Sequence, residues 1–237
     1  MIIIPDVHGR DFWKNAVKGQ ENEEIIFLGD YVDPYCSLEN IPLENGLKSL
    51  AEIIEFKKSH PKNVILLLGN HDLSYLSERF INNRYDCDND DKIIPLISDN
   101  LSLFKIAHEK KIGSTRYIFS HAGILPTWLE YNDFLLGEIP PGKEVEIINK
   151  LFPSNELLRA LSNVSSYRGG YHDAGSCVWA DVHEHFDLEP INDINTYQIF
   201  GHTRQRSEEA VITDKFACID CRHAFILDDE GNLTRID

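Results

Sequence analysis

The chain is poor in positive charge and cysteine, and it has no long apolar segment. Its 23 Lys and Arg residues face 39 Asp and Glu residues, and the net charge of −16 disfavours binding to nucleic acid phosphates. Five cysteines at irregular spacing do not make a disulfide framework, and we interpret Cys218 and Cys221 as reduced strand residues. Because no apolar run is long enough to span a bilayer, we expect no membrane partner.

Length and composition indicate one large globular domain over residues 1–237, of which 42% are hydrophobic. The chain begins directly with a strand-like segment at residues 1–4. It lacks the basic region and the apolar stretch of a secretory signal at this end, so we expect a cytoplasmic protein. Nothing in the sequence indicates an oligomeric state.

Five apolar, strand-like runs end in side chains that can bind metals. In an α/β sheet, the carboxyl ends of parallel strands meet at one edge, where ligands bind. The strand ends carry Asp6-Val7-His8-Gly9, Gly29-Asp30-Tyr31-Val32-Asp33, Gly69-Asn70-His71-Asp72, Ser120-His121-Ala122-Gly123 and Gly201-His202-Thr203.

The remaining pattern alternates strands and helices, which predicts a sheet with parallel strands. We predict helices over about 42–58 and 100–111, and a helical insertion at about 126–162 that could cap the strand ends. The acidic stretch 82–91 is interpreted as a solvated surface loop, and His183 and His185 as surface histidines. Short strands from residue 198 onward suggest a second, antiparallel sheet.

The metal-capable residues form a mixed oxygen and nitrogen set without thiolates. Such a set suits two divalent ions bridged by one carboxylate, with manganese the expected metal and iron or zinc as alternatives. The ions would generate a bridging hydroxide that attacks a phosphate ester. His71 could then protonate the leaving oxygen, with Asp33 orienting it. The predicted ligands are Asp6, His8, Asp30, Asn70, His121 and His202.

The five blocks, in this order, resemble those of the calcineurin-like metallophosphoesterases: DxHG, GDxxD, GNHD, HAG and GH. The resemblance is greatest to the serine/threonine phosphoprotein phosphatases and the symmetrical dinucleoside tetraphosphatases. It implies an α/β fold with two mixed sheets in a four-layer α/β/β/α sandwich. It also implies that Asp6 and His8 bind one metal, that Asn70, His121 and His202 bind the other, and that Asp30 binds both.

The chain departs from the family pattern at a position that usually binds the phosphate. This branch usually continues GDYVD with Arg-Gly, whose arginine holds the phosphate, whereas this chain has Pro34-Tyr35. A guanidinium from elsewhere could bind phosphate in its place, and the candidates are Arg10, Arg168 and Arg204.

The function expected is therefore the hydrolysis of a phosphomonoester on a small molecule or a phosphoprotein. A first alternative is a hydrolase of dinucleoside polyphosphates, for which Trp128 or Tyr171 could stack on a base. A second alternative is a binding scaffold without catalysis. Retention of all six predicted ligands together with His71 and Asp33 favours an enzyme.

Overall fold

The computed structural model describes residues 1–188, 191 and 195–236 as an α/β protein. The strands are β1 Ile2–Ile4, β2 Ile25–Phe27, β3 Val64–Leu67, β4 Phe104–Lys105, β5 Ala107–Ile112, β6 Thr115–Ser120, β7 Thr196–Phe200, β8 Val211–Ile212, β9 Phe216–Cys218, β10 Ala224–Leu227 and β11 Leu233–Ile236. The helices are α1 Phe12–Val17, α2 Cys36–Glu39, α3 Glu44–Ser59, α4 Asn70–Leu73, α5 Asp90–Ser98, α6 Pro126–Tyr131, α7 Asp133–Leu136, α8 Glu144–Leu151, α9 Asn155–Leu161 and α10 Glu184–Asp187. Single 3₁₀ turns occupy Leu101–Leu103 and Ser166–Arg168.

The chain forms two compact units, the first comprising Met1–Lys105 and Arg222–Asp237. Its mixed sheet has the order β11-β10-β1-β2-β3-β4, in which β1 to β4 are parallel. Helix α3 packs on β3 and buries Leu50, Ile53 and Ile54, which share one helical face. Burial of each such side chain stabilises the unit by about 1.5–3 kcal/mol, so this face fixes α3 against the sheet.

The second unit comprises Ile106–Cys221. Its mixed sheet has the order β5-β6-β7-β9-β8, with β6, β7 and β9 parallel and the outer strands antiparallel. Helices α6 to α9 lie in the segment where the sequence predicts a helical insertion. Two mixed sheets with helices confirm the predicted α/β class. The single domain over residues 1–237 and the capping role of the insertion stay predictions.

The helix predicted over 100–111 is wrong. Residues 107–112 form β5, which pairs with β6 in a hairpin whose connection contains Gly113. Exposed and less exposed residues alternate along β5, which is the period of a half-covered strand. The helix lies earlier, at α5, where Asp90 and Asp91 stand in the first turn and complement the helix dipole.

The strands after residue 198 do not form one antiparallel sheet. Strands β7 and β9 are parallel neighbours in the second unit, whereas β10 and β11 extend the sheet of the first unit beside β1. Short strands carry no sequence signal for their partners, since pairing is a long-range choice. Cys218 lies in β9 and Cys221 just after it, and both are buried as predicted for strand residues.

Candidate metal centre

In the first unit, three adjacent parallel strands end side by side. The register pairs Ile4 with Phe27 and Phe27 with Leu66, so the loops after β1, β2 and β3 leave the sheet at the same edge. The predicted metal ligands and the predicted proton-donating pair on these loops are all buried: Asp6, His8, Asp30, Asp33, Asn70 and His71. Backbone hydrogen bonds join the loops, because the amides of Val7 and His8 both donate to the carbonyl of Asp30.

His8 is oriented as a metal ligand. Its Nδ1 donates to the carbonyl of Val32 at 2.8 Å, which directs Nε2 toward Oδ2 of Asp30 at 3.4 Å and Oδ2 of Asp6 at 4.0 Å. Burial lowers the pKa of His8 well below its ordinary value, although the Asp30 carboxylate opposes the shift, so the imidazole is neutral. A neutral nitrogen and two buried carboxylates facing one another fit a divalent cation.

His71 and Asp33 form the expected pair. His71 Nδ1 donates to Asp33 Oδ2 at 2.7 Å, which leaves Nε2 pointing away from Asp33. The Asp33 carboxylate also accepts from the hydroxyl of Tyr75 and the side-chain amide of Asn82. Burial and the Asp33 carboxylate raise the pKa of Tyr75, so its hydroxyl stays a donor. His71 lies close to His8 and Asp30: one potential ligand atom from each residue falls within 4.8 Å of the others.

Asp72 supports this edge, a role that the sequence reasoning missed. Its carboxylate accepts from the amides of Asp30, Tyr31 and Gly69 at 2.7, 2.9 and 2.9 Å, which ties the end of β2 to the end of β3. Gly69 is required for close approach, because a Cβ there would lie 2.1 Å from Oδ1 of Asp30. The fourth residue of the GNHD block was the available signal, but a carboxylate beside metal ligands does not itself reveal whether it binds metal or backbone.

Several predicted site residues have left-handed backbone. The φ angles of His8, Asp30, Asp33 and His202 are +45°, +53°, +57° and +64°. Non-glycine residues rarely adopt this region, and such strain concentrates at functional sites where surrounding contacts hold it. The strain is therefore a second observation, independent of side-chain chemistry, that marks these four positions.

In the second unit, His121 and His202 come together. They follow the adjacent parallel strands β6 and β7, and the amide of Gly201 donates to the carbonyl of His121 at 2.8 Å. His121 Nε2 and His202 Nδ1 face each other at 3.2 Å, and both rings are buried. Two converging imidazole nitrogens suit manganese, iron or zinc.

The segment after His121 is held by His185, which the structure shows to be buried rather than a surface residue. Its Nε2 donates to the carbonyl of Ala122 at 2.9 Å, and its ring stacks on Phe200. Burial lowers the pKa of His185 to about 4. A Cβ on Gly123 would lie 2.3 Å from the His185 ring, so the glycine lets the two segments touch. Glu184 is also buried, while His183 is exposed as expected.

Two of the three candidate arginines are engaged in ion pairs. Arg10 pairs with Glu39 through Nε at 2.7 Å and Nη2 at 3.0 Å. Arg168 pairs with Asp181 at 2.8 Å and also donates to the Thr203 hydroxyl. These contacts favour positioning roles for Arg10 and Arg168. Substrate binding by any of the three, including the half-buried Arg204, stays a prediction.

The stacking role suggested for Trp128 is wrong. Trp128 is fully buried, with Nε1 donating to the carbonyl of Ala160, because it serves as a core residue of the helical segment. Tyr171 is 88% exposed and stacks on His172.

The stretch 82–91 is more than a solvated loop. Asp86 is buried, and the side chains of Asn82 and Arg84 contact the His71–Asp33 pair. Arg84 Nη2 lies 3.0 Å from His71 Nε2 and 3.3 Å from His8 Nε2. The sequence reasoning missed Arg84 because the surrounding carboxylates indicate an exposed loop, and no local pattern reveals where such a loop docks.

Buried carboxylates and imidazoles at the ends of parallel strands are typical of metal-dependent hydrolases, and comparison with known proteins identifies the family. The family model for calcineurin-like phosphoesterases matches residues 2–205. The chain therefore belongs to the calcineurin-like phosphoesterase family, whose members are hydrolases acting on phosphoesters. No curated protein sequence matches the chain significantly.

Solved structures include phosphatases of similar fold. A protein serine/threonine phosphatase from Saccharomyces cerevisiae, with similarity to human phosphatase PP5, has a TM-score of 0.60 and 15% identity. The alignment covers 99% of this chain and 78% of that one, and at this identity it shows the fold alone. The phosphatase domain of the Legionella effector WipB has a TM-score of 0.38 and 13% identity over 62% of this chain and 61% of that one, a likeness too low to support an argument.

Across the residues that the structure describes, the helices are all too short or too polar to cross a membrane.

Proposed function

We propose that this chain hydrolyses phosphomonoesters, on a small molecule or a phosphoprotein, with two divalent metal ions. The observation that carries the proposal is the edge of the first sheet. There, His8 Nε2 faces the carboxylates of Asp6 and Asp30, and the His71–Asp33 pair stands beside them. Metal ligands next to a buried proton-donating pair are what ester hydrolysis requires.

Asp6, His8 and Asp30 would hold one ion, and Asn70, His121 and His202 the other, with Asp30 shared. The family match over residues 2–205 includes every one of these residues, which supports the proposed ligand set. When bound, the ions would activate the attacking water and neutralise charge on the phosphoryl oxygens. Manganese is the metal we favour, with iron or zinc as alternatives, because the donors are carboxylates, an amide and imidazoles.

His71 would give the leaving oxygen its proton from Nε2. Its Nδ1–H is fixed on Asp33, so the proton delivered must lie on the opposite ring nitrogen, and the carboxylate stabilises the charged ring that carries it. Tyr75 and Asn82 hold Asp33 in place, and the pair therefore keeps its orientation when substrate enters.

The first experiment is a substrate panel after metal removal and readdition. We expect p-nitrophenyl phosphate to be hydrolysed with added manganese and not without it, and bis-p-nitrophenyl phosphate and diadenosine tetraphosphate to be poorer substrates. Preference for diadenosine tetraphosphate would instead establish the pyrophosphate-bond alternative. Absence of turnover on every substrate, in protein that elemental analysis shows to hold two metals, would support the scaffold alternative.

The second experiment tests the proton donor. His71→Asn should lower kcat by about 10²- to 10⁴-fold, with metal content unchanged. The loss should be larger for phenyl phosphate than for p-nitrophenyl phosphate, because p-nitrophenolate leaves more easily without a proton. His60→Asn, at the C-terminal end of α3, is the matched control. Equal losses on the two substrates would contradict proton donation by His71.

A cytoplasmic location, which the sequence predicts, stays a prediction.

A further inference from the structure

We propose that Arg84 is the residue that binds the phosphoryl group, in place of the arginine missing after Asp33. This inference rests on the proposed function, since it assigns a residue to the same reaction. Arg84 follows Asp33 by 51 positions in the sequence, and its Nε donates to the Asp33 carbonyl at 3.3 Å.

The position of the guanidinium carries the argument. Arg84 Nη2 lies 3.0 Å from Nε2 of His71 and 3.3 Å from Nε2 of His8. Both Nε2 atoms face this space, because each Nδ1 is hydrogen-bonded elsewhere. The oxygen that takes a proton from His71 must approach this same Nε2, so a phosphate ester in reach of His71 is also in reach of Arg84. Phosphoryl oxygens bind a guanidinium more strongly than ring nitrogens do, because they form charge-assisted hydrogen bonds with it.

Tyr35, which together with Pro34 stands where the family usually has Arg-Gly, supports Arg84. The guanidinium carbon of Arg84 lies 3.6 Å from the centre of the Tyr35 ring, the distance of a stacked cation–π contact. Tyr35 in turn packs its ring edge-on against His8. Compared with the usual Arg-Gly, Pro34-Tyr35 thus lacks the arginine side chain, but Tyr35 supplies the ring face on which the Arg84 guanidinium lies.

The loop that carries Arg84 is docked on the catalytic pair. Asn82 donates to the Asp33 carboxylate and accepts from the Arg84 amide at 2.9 Å. The Asp86 amide donates to the Tyr75 hydroxyl, and Tyr85 stacks on the Tyr75 ring with centroids 4.4 Å apart. Asp33 is therefore linked both to His71 and to the turn that presents Arg84, so the two are held in fixed relation.

The acidic residues near Arg84 do not neutralise it. Asp86 uses its carboxylate on the amides of Asp88 and Asn89 and on the side chain of Asn89. Arg84 makes no ion pair with a carboxylate among the residues described here, in contrast to Arg10 and Arg168. A half-buried cation that pairs with no carboxylate in the described part of the chain is suited to bind an incoming anion.

The test compares Arg84→Ala with Arg79→Ala, an exposed arginine five residues earlier that gives the same change in net charge. Binding of inorganic phosphate is measured by calorimetry on manganese-loaded and on chelated protein, alongside kcat/KM for p-nitrophenyl phosphate. We expect Arg84→Ala to weaken phosphate binding and to lower kcat/KM, each by about 10- to 100-fold, with metal content unchanged. Arg79→Ala should change each by less than about twofold.

Two further measurements separate phosphate binding from a structural effect on the loop. Millimolar guanidinium ion should restore part of the activity of Arg84→Ala, and Arg84→Lys should retain more phosphate affinity than Arg84→Ala. Wild-type phosphate affinity in Arg84→Ala would overturn the assignment, and so would a loss that neither guanidinium nor lysine relieves. If wild-type protein hydrolyses no phosphomonoester, the proposed function fails on its own, while the phosphate titration still decides the role of Arg84.

Discussion

Replacement of His185 by glutamine should remove a specific dependence of stability on pH. The His185 ring is buried against Phe200 and Phe216, and Nε2 donates to the Ala122 carbonyl. Protonation would place a second proton on Nδ1, which has no hydrogen-bond partner among the described residues. Burial therefore holds the pKa of His185 at about 4, against about 6.5 in the unfolded chain.

The direction of the pH dependence is set by which state, native or unfolded, binds the proton. Well above pH 6.5 the imidazole is neutral in both states, so His185 contributes no pH dependence to stability. Between pH 6.5 and 4 the unfolded chain takes up a proton that the native protein excludes, so the free energy of unfolding falls as the pH falls. For these two pKa values the loss is about 1 kcal/mol at pH 5.5 and about 3 kcal/mol below pH 4.

The assay is urea unfolding of chelated protein at pH 7.5 and pH 5.5, followed by fluorescence. Glutamine can donate to the Ala122 carbonyl but does not titrate. The stability of wild type relative to His185→Gln should therefore fall by about 1 kcal/mol between the two pH values. His183→Gln, which removes an exposed histidine two residues earlier, is the control. An identical difference between wild type and His185→Gln at both pH values would refute the reasoning.

Three other outcomes follow from the site. Asp72→Asn should destabilise the protein by about 2–3 kcal/mol and reduce bound manganese, because the side-chain NH₂ group of asparagine would face backbone N–H donors. An unchanged urea unfolding curve would show that the Asp72 carboxylate does not stabilise the site. Gly123→Ala should lower the free energy of unfolding by about 2–3 kcal/mol, because φ at this position is +83° and the new Cβ would clash with the His185 ring. In a double-mutant cycle, His185→Ala should relieve part of this destabilisation, and strictly additive effects would exclude the clash. Manganese at about 100 times its dissociation constant should stabilise metal-free wild type by about 2.7 kcal/mol but should stabilise Asp30→Asn far less. Equal stabilisation of the two proteins by manganese would show that Asp30 is not a ligand.

The strands that lead to the site could be predicted because their signal is local. Val64–Leu67 is a short apolar run that ends in Gly69-Asn70, and the amino acids alone indicate a buried strand followed by a turn. The same holds for the segments before Asp6 and Asp30. Where the local signal was ambiguous, the prediction failed: residues 107–112 form β5 because they pair with β6, not because of their own composition.

The supporting residues around the site could not be predicted to the same extent. Asp72 belongs to a recognisable motif, but its role depends on three backbone amides that follow two different strands and come together only in the folded sheet. In the sequence, His185 is one of several polar residues in a histidine-rich stretch. It is buried because Gly123, 62 residues earlier, leaves space for its ring.

The sequence by itself determined the class of chemistry, because each potential ligand directly follows an apolar run, and chain order alone delivers such residues to strand ends. Tertiary structure alone decided what surrounds those ligands. The position of Arg84 beside His71 depends on an acidic loop docking through Asn82 and Tyr85, and such contacts between distant segments are set by packing that no local pattern encodes.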